Sequence, residues 1–198
     1  VRENKIAYIP NGIPKEFFTQ KKTKEQNKIL FLGRIAPIKN IETLIKAFIL
    51  LKEENLNLEI VGPAEEDYLK KLKLLIPEKG IEKKITFTGP IYNTEEKIKK
   101  IDSAKIFVLP SIRESMPQSL IEAMARERIV ISSDNIGSRD LINDGKNGYL
   151  FKFDEPNELA KKIKLVLEKN KNIGNEAKKT VEKFSWDIII KDIMKVIK

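Results

Sequence analysis

The chain reads as an α/β protein, a Rossmann-like doubly wound parallel sheet with helices on both faces. Short apolar runs rich in β-branched residues recur at 6–9, 29–32, 58–61, 85–87, 106–109, 129–131 and 149–151. Runs of this length suit strands buried on both faces, as in parallel sheets. Most of them end in Gly, Pro or Ser and lead into a segment of helical periodicity. Repetition of strand, crossover helix and strand builds a parallel sheet.

The elements follow in order. Ile6-Ala7-Tyr8-Ile9 is a short strand, and Pro10-Asn11-Gly12 turns the chain toward a short helix carrying Phe17 and Phe18. Helices are expected near 40–54, 65–79, 94–103, 116–126, 137–143 and 155–169, each after one of the later strands. Two more helices, near 172–183 and 185–197, close the chain. Ser185 is placed to cap the last one, whose apolar residues exceed one narrow stripe. From the residues alone, that helix is expected to pack on this sheet.

Composition narrows the chemistry. With 198 residues, 41% hydrophobic and 34% charged, the chain is long enough for one globular domain spanning 1–198. No apolar run approaches a membrane span, and no signal peptide is visible. Val1 is not an initiator Met, so the chain is read as an excised fragment or a processed product. It contains no Cys and no His. Disulfides, thiolate metal sites and cysteine nucleophiles are excluded, as is the commonest general base. Chemistry must rest on carboxylates, cations, hydroxyls and backbone. The net charge of +9 is compatible with an anionic partner. The lysines are spread along helices without interleaved aromatics, which favours a solvated Lys/Glu surface over a nucleic-acid platform.

Ligands of doubly wound sheets sit beyond the carboxyl ends of the strands, where the strand order reverses. The loops after Leu32, Val61, Phe87 and Leu109 are the places to look. Gly33 permits a sharp turn and leaves space for a ligand. Arg34 offers a planar fork to phosphate and Lys39 a point charge, although two surface cations would look the same. Ser115 is expected to cap a helix, with Gln118 completing a capping box and Pro117 tolerated in the first turn. That helix N-terminus suits a phosphate. Glu114 stands before the helix and Glu122 two turns inside it. Carboxylates beside an anion site make sense if they hold hydroxyls; solvated glutamates on an ordinary capped helix are the alternative. Nothing matches Gly-x-Gly-x-x-Gly, a P-loop, a zinc site or a serine nucleophile elbow.

Taken in order, these segments resemble the donor-binding, C-terminal domain of retaining glycosyltransferases of the GT-B fold, group 1 or family 4. The match lies in Glu114-Ser115-Met116-Pro117 with Glu122-Ala123-Met124-Ala125, in Gly33-Arg34 with Lys39-Asn40, in Pro10-Asn11-Gly12, and in Ile136-Gly137-Ser138-Arg139-Asp140. Pro14 and Asp140 stand where the family often has an acidic residue and Glu. Glu127 replaces a helix-ending Gly, so the turn there must differ or carry strain of about 1 kcal/mol.

The resemblance implies that Arg34 and Lys39 bind the donor diphosphate and stabilise the leaving nucleotide. Glu114, with backbone amides over Ser115, Met116, Pro117 and Gln118, contacts the sugar; Glu122 holds the ribose; backbone near Ile91 meets the base. Gly33 and Gly137 border the phosphate loop. Catalytic roles fall on Arg34, Lys39 and Glu114, with no covalent role assigned to Glu114. The substrate implied is a UDP- or GDP-sugar, with no cofactor and no metal. The other partners are an acceptor glycan or glycolipid and a missing N-terminal domain, toward which the 185–197 helix crosses in the family. No nucleic acid is expected. The implied setting is cytoplasmic carbohydrate synthesis for the cell envelope, with membrane association of the intact enzyme left open. The alternatives are a non-catalytic nucleotide or sugar-phosphate binding module, an epimerase or phosphorylase relative on the same fold, and a nucleic-acid binder.

Overall fold

The computed structural model describes residues 9–19, 21, 23–51, 54–76, 80–168 and 172–197. Residues 6–8 of the expected first strand lie outside these. Six strands are described: β1 (Lys28–Leu32), β2 (Asn57–Val61), β3 (Ile85–Thr88), β4 (Ile106–Leu109), β5 (Ile129–Ser133) and β6 (Tyr149–Phe151). They form one sheet in the order β3-β2-β1-β4-β5-β6, with every pair parallel. Ile29, Leu30 and Phe31 of β1 and all four residues of β4 are buried, as continuous apolar runs at the centre of such a sheet should be. The chain order reverses between β1 and β4.

The helices are α1 (Glu16–Thr19), α2 (Ile41–Leu50), α3 (Glu66–Leu74), α4 (Thr94–Ser103), α5 (Gln118–Ala125), α6 (Ile136–Arg139), α7 (Pro156–Glu168), α8 (Ile173–Val181) and α9 (Trp186–Ile197). Only α4 has the boundaries expected from sequence; the others begin or end within a few residues of them. Asn135 caps α6 by accepting from Ser138 N–H, which starts the helix at Ile136, and it ends at Arg139, after about one turn and earlier than expected.

The start of α5 corrects the sequence expectation. Pro117, in extended conformation, is the N-cap, and no side chain caps the helix. A proline disfavours helical backbone in the residue before it, so Met116 stays outside the helix. Ser115 is then two residues too early to cap, and the capping box with Gln118 does not form. Glu122 consequently lies little more than one turn inside the helix.

The end of α5 keeps a glycine-type turn without glycine. Glu127 has φ of 59°. Its N–H bonds to Met124 O at 2.9 Å, and Arg128 N–H bonds to Ala123 O at 3.0 Å. This is a Schellman ending, with the strain of about 1 kcal/mol that a Cβ meets in the left-handed region. The Glu127 carboxylate takes a 3.1 Å bond from Lys178 on α8.

α9 does not pack on the sheet. Ile189 is buried, whereas Trp186, Ile188, Ile190, Met194, Val196 and Ile197 are all exposed. The helix is tied instead to the entry turn. Trp186 N–H bonds to Ile13 O at 3.2 Å, and the Trp186 ring lies where a Cβ on Gly12 would be, 2.5 Å away.

Candidate functional site

The loops after β1 and β4 meet at the point of strand reversal. Ile112 N–H bonds to Ile38 O at 2.9 Å, which locks one loop to the other. Lys39 closes a short 3-10 turn after β1, and its Nζ lies 2.6 Å from Glu114 Oε1. The two side chains are 20% and 12% exposed, so their charges meet in a partly dry setting. Arg34, on the same β1 loop, is exposed, with no ion pair among the described residues.

Gly33 is not where this edge needs a glycine. Its backbone is ordinary, and a Cβ there would touch protein only at the Phe31 ring, 3.4 Å away. The required glycine is Gly62, at the end of β2. Its φ is 146°, and a Cβ would lie 1.9 Å from Gly33 O.

The Glu114 loop is pinned from β5 and α6. Ser132 Oγ donates to Leu109 O at 2.9 Å, and Ser133 Oγ donates to Ser111 O. Asn135 Nδ2 adds a 3.2 Å bond to Ser111 O. Gly137 N–H donates to Glu114 O at 3.0 Å. A Cβ on Gly137 would lie 2.7 Å from that oxygen, so the missing side chain is what allows the approach. From the other side, Asn11 N–H reaches Met116 Sδ at 3.2 Å, which brings the entry turn to the same loop. Ile9, Pro10, Met116, Gly137, Phe184 and Ile189 are among the residues lining a cleft of about 520 Å³ between this loop and α9.

Glu122 faces inward on α5 and is 5% exposed. Burial pushes its carboxyl above the ordinary carboxylate range, while the charge and hydrogen bond of Lys97 pull it back. Lys97 Nζ, from α4, lies 2.9 Å from Glu122 Oε1. Ile91 is half-buried on the loop between β3 and α4, and the neighbouring Tyr92 is exposed.

Of the residues expected from sequence, Gly33, Arg34 and Lys39 thus share the β1 loop. Glu114, Ser115, Met116 and Pro117 share the β4 loop, and Gln118 opens α5. Contact is direct between Lys39 and Glu114. Glu122 is engaged separately by Lys97, and Ile91 follows β3, two strands out from β1. Sequence reasoning missed Lys97, because Thr94-Glu95-Glu96-Lys97 looks like any solvated first turn. One signal was available: Lys97, Ile98, Ile101 and Asp102 fall on one helical face, and the last three are buried. The Asp102–Arg126 pair was missed as well. Arg126 Nε and Nη2 each lie 2.8 Å from an Asp102 oxygen, and both side chains are almost fully buried. Among the described residues no group of three or more acidic, His or Cys side chains is arranged to hold a metal ion. None of the described helices is long and apolar enough to cross a membrane.

A parallel sheet in the order 3-2-1-4-5-6 with helices on both faces is a Rossmann-like domain, and Lys39 and Glu114 meet at its reversal point. The structure superposes on Anabaena HepE in complex with UDP and glucose with a TM-score of 0.86 at 22% identity, covering 96% of this chain and 55% of that one. It superposes on a Staphylococcus aureus TarM mutant in complex with fondaparinux, alpha-GlcNAc-glycerol and UDP with a TM-score of 0.80 at 26% identity, covering 96% and 39%. The sequence profile described as Glycosyl transferases group 1 matches residues 12–183, and the chain belongs to that family. It is similar to an uncharacterized glycosyltransferase of Methanocaldococcus jannaschii, 33% identical over 99% of this chain and 54% of the relative. It is also similar to a Campylobacter jejuni alpha-1,4-N-acetyl-D-galactosaminyltransferase that acts on a diphospho-undecaprenol-linked glycan, 30% identical over 100% of this chain and 55% of the relative. The chain spans about half the length of these curated relatives.

Proposed function

We propose that this chain is the nucleotide-sugar-binding half of a hexosyltransferase that moves a sugar from a UDP- or GDP-sugar to an acceptor hydroxyl with retention of configuration. The observation that carries it is the 2.6 Å contact between Lys39 and Glu114 at the strand reversal, beside the uncapped N-terminus of α5. Free first-turn amides and the Lys39 ammonium favour an anion there, and exposed Arg34 is on the same loop as Lys39. Glu114 supplies an acceptor for sugar hydroxyls at the same point.

In the reaction the bond from the sugar's anomeric carbon to the diphosphate oxygen breaks, and the acceptor oxygen bonds to that carbon. Negative charge collects on the departing diphosphate. Lys39 and Arg34, with the α5 amides, oppose that charge in a preorganised way. Lys39 is already held by Glu114, so donor entry shares one ammonium between the phosphate and the carboxylate. Glu114 is then fixed against the sugar as positive charge develops at the anomeric carbon. Glu122, one turn inside α5, holds the ribose, and backbone near Ile91 meets the base. These groups neutralise the diphosphate without a metal ion. UDP in the related HepE and TarM complexes supports a uridine donor. The diphospho-undecaprenol-linked glycan in the Campylobacter relative's name supports a glycan or glycolipid acceptor. The partner half of the polypeptide supplies the acceptor site, so this chain alone transfers sugar poorly.

Calorimetric titration with UDP, GDP and ADP, with and without magnesium, tests the site in the chain and in its Arg34→Ala and Lys39→Ala variants. Metal-independent binding of one nucleotide, weakened in both variants, is the expected result. Unchanged binding in both variants would refute the phosphate assignment. Transfer assays on the full-length protein separate a transferase from a binding module.

A further inference from the structure

We infer that Lys97 is a positioning residue that holds Glu122 as an oriented carboxylate for the donor ribose, an inference that rests on the donor-site reading above. Glu122 is buried, and among the described residues the hydrogen bond to its carboxylate comes from Lys97, at 2.9 Å on Oε1. A desolvated carboxyl without a cation tends to take up a proton. Once protonated, it spends one oxygen as a donor and loses acceptor capacity. Ribose hydroxyls arriving as donors need the ionised form. The charge-assisted bond from Lys97 keeps it ionised and fixes one oxygen, leaving Oε2 to accept from the sugar.

Lys97 is itself held in place. Its Nζ lies 5.8 Å from the centroid of the buried Phe17 ring on α1. Arg126, just past the end of α5 and four residues after Glu122, cannot substitute, because Asp102 takes it through two 2.8 Å bonds. Lys97 also sits one turn into α4, the helix that follows the loop of Ile91. One side chain thus couples the loop assigned to the base with the carboxylate assigned to the ribose.

The test compares UDP with 2′,3′-dideoxy-UDP, by titration of the full-length protein and of its Lys97→Met, Lys97→Gln, Lys97→Arg and Glu122→Gln variants. Thermal melts establish which variants are folded. In the unmodified protein UDP is expected to bind at least about tenfold more tightly than the dideoxy ligand. Lys97→Met and Lys97→Gln are expected to erase most of that preference, as Glu122→Gln does, while leaving dideoxy-UDP affinity nearly unchanged. Lys97→Arg is expected to restore it. Equal loss for both ligands would mean that Lys97 serves the phosphates or the fold, and would overturn the inference. So would an unchanged preference in a folded Lys97→Gln protein beside its loss in Glu122→Gln. If the unmodified protein has no preference for the ribose hydroxyls, the assignment of Glu122 itself fails, and the inference with it.

Discussion

Replacing Gly137 with Ala puts one methyl group against the backbone that carries Glu114. The new Cβ would meet Glu114 O at 2.7 Å and the carbonyl carbons of Glu114 and Ser115 at 2.8 Å. All three are backbone atoms and cannot rotate away. Reaching an ordinary contact of 3.4 Å from 2.7 Å requires a retreat of about 0.7 Å. Either the Glu114 loop moves, or α6 lifts and stretches the 3.0 Å bond from Gly137 N–H to Glu114 O. The Glu114 loop is held by Ser132, Ser133 and Asn135 through the Leu109 and Ser111 carbonyls, so the displacement is resisted and costs energy. Overpacking of this kind costs about 1–3 kcal/mol. A site needing its groups within about 0.5 Å of productive geometry should lose roughly ten- to a hundredfold in transfer rate. Urea denaturation of the chain and sugar transfer by the full-length protein measure the two effects. Gly89→Ala is the control for stability, because a Cβ there would have no neighbour within 4 Å and its backbone is ordinary. A Gly137→Ala protein within about 0.5 kcal/mol of the parent and equal to it in rate would refute the claim that this contact sets the Glu114 loop.

Two further outcomes follow from the same geometry. Glu127→Gly relieves a left-handed residue at the end of α5 while giving up a partly exposed pair with Lys178, so a net gain of about 0.5 kcal/mol and a melting temperature higher by about 1–2 °C are expected; a lower melting temperature would show the pair to outweigh the strain. Glu59 and Glu122 should give stability opposite slopes with pH. Burial alone would raise the Glu59 carboxyl, but bonds from Lys100 at 2.5 Å and Lys28 at 2.6 Å hold it below the ordinary range. Its contribution is therefore present above the unfolded value of 4.5 and is lost as pH falls through the lower folded value. Burial raises Glu122 despite Lys97, so the folded state binds this proton more tightly than the unfolded chain does, and stability is lost as pH rises from 4.5 through the higher folded value, above which the Lys97-paired carboxylate is ionised. Glu59→Gln should thus cost most at neutral pH and nothing once the pH is below the folded value, whereas Glu122→Gln should gain on the parent as pH rises. Denaturation curves from pH 3 to 7 with parallel slopes for the two variants would contradict this account.

The sheet was legible because its signal is local. Each strand is a short apolar run, and burial on both faces leaves nothing to disguise it. The loops after β1 and β4 were legible for a different reason. Arg34, Lys39 and Glu114 are residue types that carry chemistry on loops at the carboxyl edge of a doubly wound sheet, and Lys39 and Glu114 meet there. The missed features are those in which a charge is satisfied by a partner distant in sequence. Lys97 and Glu122 are 25 residues apart, and Asp102 and Arg126 are 24 apart. In both pairs the first partner lies on α4, among lysines and glutamates of ordinary appearance. The misplaced cap has another cause: Ser115 and Gln118 satisfy the capping pattern, but Pro117 between them overrides it by excluding Met116 from the helix. That exclusion has a consequence for the site. With Met116 held out, its sulfur meets the entry turn through Asn11, and α5 begins uncapped, with first-turn amides left for a ligand. A serine cap on that helix would have satisfied part of the donor set on which the proposed anion site depends. The local rule that failed at Ser115 is therefore the one whose failure leaves the site open.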